Sequence, residues 1–210
     1  MNIRLEGNMN SLLSKVKRNL DSWIVSLSKP NVKEIASRYF VMNAFDGSMS
    51  MLGIIVGATG AGKDINPRII ISAGLGATLA WAISGSVGAF MAERAERMRH
   101  LRELEESMFT DLNSSHLYRD SVRAIIFLAI VDAVAPGLMS IFILIPFYLT
   151  LWNIISMTYA LTSSIIITLL SLFGLGILLG KISKENIMFH GMITVIAGII
   201  TYIFVSLIPF

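Results

Sequence analysis

The sequence predicts an all-α integral membrane protein: five transmembrane helices, N-terminus inside and C-terminus outside, preceded by an N-terminal amphipathic interfacial helix. Three observations carry that prediction. Apolar residues make up 54% of the 210-residue chain and fall in long blocks, whereas the charged 15% are confined to a few short ones. Five of the apolar blocks, about 39–62, 69–92, 122–148, 155–180 and 187–209, are long enough for a helix to cross ~30 Å of hydrocarbon. Lys and Arg crowd the N-terminal arm, the 93–121 segment and the KISKEN turn, while the 149–154 turn and the C-terminus have none. The formal charge of +3 and mean hydropathy of +0.70 fit the cytoplasmic bias of a membrane protein, not a nucleic-acid footprint. With no cysteine, disulfides, thiolate metal sites and Cys nucleophiles are excluded.

Residues 1–38 form the first unit. Leu12, Val16, Leu20, Trp23, Ile24 and Leu27 recur at helical spacing among Lys15, Lys17, Arg18 and Lys29, the pattern of a basic helix lying in the headgroup region. The alternative is a soluble helix packed on a partner. This start lacks the apolar core and small-residue cleavage site of a signal peptide, so no cleavage is expected. Pro30 is expected to stop the helix.

The second unit, 39–210, holds the five spans. The first two carry small residues, Gly53, Gly57, Gly60 and Gly62, then Gly74, Gly76, Gly85 and Gly88, which let helices approach closely. Residues 93–121 interleave Glu93, Glu96, Glu103 and Glu106 with Arg94, Arg97, Arg99 and Arg102, predicting that the second span leaves the membrane as a solvated helix laced with i,i+3 and i,i+4 pairs. Asn113–Ser115 should end it, and Asp120 or Ser121 should cap the next helix. The third span contains Pro136-Gly137, a place to kink or unwind. His190, near the start of the fifth, reads as interfacial.

Asp46 lies well inside the first span, and an unpaired charge at that depth costs several kcal/mol, so it should face protein or water. Entering from the inside, the first span reaches Asp46 after about 12 Å, and the third reaches Asp132 after about 15 Å, at ~1.5 Å per residue. Ser84, Gly85 and Ser86 fall at a similar depth in the second span. Two carboxylates with hydroxyls, backbone carbonyls and Met49 would make an oxygen-rich site suited to Mn²⁺ or Fe²⁺. The plainer alternative is that each acid is protonated or bonds a serine to hold two helices together. Glu93, Glu96, Glu103 and Glu106 would draw cations to the inner mouth; the alternative is a solvated face. ATGAGK lacks the spacing of a phosphate-binding loop, and His100, His116 and His190 form no HExxH or clustered ligand set, so an enzyme is not expected and no cofactor is implied.

Four segments together resemble the vacuolar iron transporter family: DGSMSMLGIIVGATGAG, AGLGATLAWAISGSVGAFMAERAE, RAIIFLAIVDAVAPGLMSIFILIPF and LFGLGILLGKISKENIMFHGMITVIAGIITYIF. The resemblance covers nearly everything after about residue 38. It implies five spans, a homodimer and export of Fe²⁺ or Mn²⁺ from the cytoplasm, with proton exchange in some members. Asp46 matches the family's first-span acid and Glu96 its acid at the second span's exit. The family's second-span glutamate and methionine are Ala77 and Gly85 here, and the 93–121 segment is too short for the three-helix, glutamate-rich domain of many members. Asp132 stands where the family has a small residue, and could replace the lost second-span acid. The expectation is therefore a homodimeric exporter of Fe²⁺ or Mn²⁺ in a prokaryotic plasma membrane, with lipid, metal ions and protons as its partners. The alternative is a scaffold that keeps the fold without the ion path.

Overall fold

The computed structural model describes residues 29–60 and 66–208, and among these residues there is no strand. Five helices follow in order: α1 (Pro30–Gly60), α2 (Pro67–Met108), α3 (His116–Leu151), α4 (Met157–Ser183) and α5 (Ile187–Ser206). All five are long and apolar enough to cross a membrane. The expected interfacial helix lies, as far as residue 28, outside the described residues.

α1 begins at Pro30 and runs without a break into the span expected from residue 39. Proline suits that first position, where its fixed φ is helical and its missing N–H would have had no partner. Asn66 caps α2, its side chain accepting from the Arg68 N–H at 2.9 Å, with Pro67 next in line. α2 leaves the apolar block and continues to Met108, where Phe109 adopts a left-handed conformation.

Two expectations for α3 are corrected. Its cap is Ser115, whose hydroxyl accepts from the Tyr118 N–H at 3.2 Å, and not Asp120 or Ser121. Asp120 is inside the helix and pairs with Lys29 at 2.6 Å and Arg123 at 3.5 Å. Nor does α3 unwind at Pro136-Gly137. It stays helical past both Pro136 and Pro146, because Pro136 is buried against α1 and its neighbours hold the geometry.

The register between helices reads directly from their contacts. Lys29 meets Asp120, Asn43 meets Asp132 and Gly47 meets Pro136, so α1 and α3 run parallel at an almost constant offset. Gly74 faces Leu144, Thr78 bonds Ser140 at 2.6 Å and Gly85 faces Asp132, so α2 runs antiparallel to α3. α1 is the hub and touches every other helix. In lipid, apolar side chains gain little by leaving their surroundings for a neighbour, so close packing and interhelical hydrogen bonds must hold the bundle. Gly47 supplies the first: a Cβ there would lie 2.8 Å from the Pro136 backbone. Ser164 and Thr194 supply the second, donating to the Ile143 and Leu172 carbonyls at 2.9 and 2.8 Å.

Candidate functional site

The site forms where α1, α2 and α3 cross near Gly85. Asp132, on α3, is only 4% exposed. Its carboxylate accepts a hydrogen bond from the Asn43 side-chain amide of α1, and the same amide nitrogen donates to the Tyr39 carbonyl one turn back at 3.1 Å. The other carboxylate oxygen fills the space that a side chain at Gly85 would need, and the Asn43 carbonyl oxygen lies 3.6 Å from that same position. One helix thus supplies the acid, one the amide, and one the gap that admits them.

Asp46 follows Asn43 by three residues on α1, placing it roughly 4.5 Å farther along the helix axis. It is half-buried and makes no hydrogen bond among the described residues. The contacts of Asn43 with Asp132 and of Gly47 with Pro136 set Asp46 about one helical turn beyond Asp132 along the paired helices. Ser84 is exposed, Ser86 donates to the Ile83 carbonyl of its own helix at 2.9 Å, and Met49 is half-buried. The residue facing Asp132 is Gly85, between the two serines.

Glu93 is 9% exposed and already engaged: the Tyr39 hydroxyl donates to it at 3.1 Å and Arg97 Nε at 2.9 Å. Glu96 pairs with Arg99 at 2.8 Å, Arg99 and His100 approach Glu103 at 4.0 and 3.9 Å, and Glu106 is exposed. This is the solvated, pair-laced helix that the charge pattern predicted. Among the described residues no group of three or more His, Asp or Glu side chains is placed to hold a metal ion. Any cation at the centre would rest on two carboxylates completed by amide, backbone or water oxygens.

Asn43 was missed by sequence reasoning. Its signal was a second polar residue three positions before Asp46, on the same side of an apolar helix. The structure also assigns Asp132 a more specific place than replacement of a lost acid. It occupies the room left at Gly85, whereas Ala77 lies eight residues away, roughly 12 Å along α2.

A polytopic helical membrane protein with a buried carboxylate held between three of its helices is the class that this fold and site define. The model of the VIT family matches residues 37–126, a stretch that includes Asn43, Asp46, Gly85 and Glu93. The uncharacterized protein MJ0645 of Methanocaldococcus jannaschii is 34% identical over 187 residues, which cover 88% of this chain and 91% of that protein. The chain belongs to the VIT family, whose members are membrane metal-ion transporters rather than enzymes.

Proposed function

We propose that the protein exports Fe²⁺ or Mn²⁺ from the cytoplasm of a prokaryotic cell in exchange for protons, working as a homodimer. The observation that carries this reading is the Asp132 carboxylate, drawn from α3 onto Gly85 of α2 and held by Asn43 of α1, with Asp46 one turn farther along α1. Two carboxylates balance one divalent cation, so exchanging that cation for two protons keeps the local charge constant and avoids a bare charge in hydrocarbon. Oxygen donors with few soft ligands favour a hard or borderline ion. Ser86 and Met49 would border the path, Ser84 being exposed on the outer side of α2, and Glu96, Glu103 and Glu106 would raise the local cation concentration at its mouth. Glu93 would serve there through its hold on Tyr39 and Arg97.

The orientation follows from charge. Among the described residues every Lys and Arg except Arg68 lies at the end of the bundle where α1 begins, which supports a cytoplasmic placement of that end. The dimer face would be on α2. Ser72, Gly76, Ala80, Ser84, Gly88 and Ala92 recur every fourth residue and are all exposed, and a Cβ at Gly76 or Gly88 would meet nothing within 4 Å.

The test is Mn²⁺ and Fe²⁺ flux into proteoliposomes, with and without a pH gradient. Asp46→Asn and Asp132→Asn should each lower flux at least about tenfold, equivalent to ~1.4 kcal/mol of barrier. Absence of flux in the unmodified protein, for either metal and under any gradient, would favour a non-transporting scaffold, with both acids read as helix-packing groups.

A further inference from the structure

At the end of the bundle where α1 begins and α4 finishes, a groove of ≈ 400 Å³ opens between these helices and α3. Phe40 and Val41 of α1, Phe127 of α3 and Leu178 of α4 line it, and two lysines, Lys33 and Lys181, stand on it from opposite helices. The chain direction orders these groups by depth. Lys33 precedes Phe40 on α1 and Lys181 follows Leu178 on α4, so both lysines lie towards the bundle end and the apolar wall towards the midplane.

Glu34 follows Lys33 on α1 and makes no ion pair among the described residues, and two other carboxylates at this end are already engaged. Asp120 pairs with Lys29 and Arg123, and Glu185 pairs with His190 at 2.6 Å. Among the described residues neither Lys33 nor Lys181 has a carboxylate partner. An apolar slot with two uncompensated cations at its rim complements one kind of molecule, a lipid with an anionic phosphate and an acyl chain. We propose that this groove binds one anionic phospholipid per chain, its phosphate between Lys33 and Lys181 and an acyl chain along Phe40, Phe127 and Leu178. The leaflet follows from the orientation proposed above and is the cytoplasmic one, where anionic lipids attract basic groups. The site does not depend on the transport reading, and its test does not use flux.

Native mass spectrometry of the full-length protein, titrated in detergent with phosphatidylglycerol or phosphatidylcholine, measures the preference. One phosphatidylglycerol per chain should be retained with at least tenfold higher apparent affinity than phosphatidylcholine. K33A/K181A should reduce the two lipids to parity, and K33R/K181R should keep the preference. Both lysines are exposed, so these variants should keep the thermal midpoint of the parent. Should K33A/K181A fail to fold, L178W, which fills the apolar half of the groove, must weaken retention of both lipids. Equal retention by the unmodified protein, or an undiminished preference in K33A/K181A, would overturn the proposal. So would displacement by soluble glycerol 3-phosphate, which would make this a free-phosphate site. Binding that emerges only after removal of residues 1–28 would overturn it too, assigning the groove to the chain's own segment.

Discussion

A single missing side chain decides what the centre of this bundle holds. Gly85 leaves room on α2, and Asp132 enters it from α3 while Asn43 fixes the carboxylate from α1. The arrangement makes a signed prediction. Replacing Gly by Ala in a helix normally gains about 1 kcal/mol, but here the new Cβ would overlap the carboxylate, and overpacking costs ~1–3 kcal/mol. Gly85→Ala should therefore lower the thermal midpoint of the unmodified protein and raise it in an Asp132→Ala background. A thermal-shift double-mutant cycle reads the reversal directly; additive effects would mean that the two residues do not share space. This contact was not legible in the sequence. The depth of each acid follows from counting along one helix, but which residue faces Asp132 depends on how α2 is rotated and set against α3. Glu93 was hidden for a related reason. Its partner Tyr39 is on another helix, and a glutamate in an arginine-rich run reads as solvated until that neighbour is known.

Individual helices were the most legible level, because a run of apolar residues states its own length. The expected spans at 69–92 and 122–148 lie within α2 and α3, those at 39–62, 155–180 and 187–209 overlap α1, α4 and α5 without matching both ends, and the charged continuation of α2 follows from its i,i+3 and i,i+4 pairs. The start of α3 was less legible, since Ser115, Asp120 and Ser121 are all acceptable caps locally and only the hydrogen bond from the Tyr118 N–H to Ser115 separates them. Within α3, Pro136 carries no N–H, so the carbonyl of Asp132, four residues earlier, loses its usual helical donor. That places a weakly committed backbone oxygen beside the carboxylate of the same residue. Pro136→Ala would return the donor and remove an interior proline, gaining up to about 3 kcal/mol. Its Cβ would still sit where the proline Cβ now meets Gly47. The expected outcome is a higher thermal midpoint with weaker Mn²⁺ binding by titration calorimetry; tighter binding would exclude that carbonyl from the site.

At the scale of the whole molecule, α1 is surrounded by its own chain while α2 keeps a long outer face uncovered. The chain has no cysteine, so a single one reports cleanly on what meets that face. Ser84→Cys should form a disulfide-linked dimer in native membranes, whereas Ile166→Cys, on the exposed side of α4, should not. Equal cross-linking at both positions would remove α2 as the dimer face. Flux through the Ser84→Cys dimer, measured before and after dithiothreitol, then tells whether the two copies must move against each other. The number of helices gives that question its weight. Many carriers alternate between two faces of the membrane by letting two matching halves of opposite orientation exchange shapes. The five helices that are long and apolar enough to cross a membrane among the described residues do not divide into two such halves. Under the proposed transport reading, inward-facing and outward-facing forms would not be interchanged versions of two repeats, and the motion linking them would come from helices shifting within one copy or across the proposed seam between two.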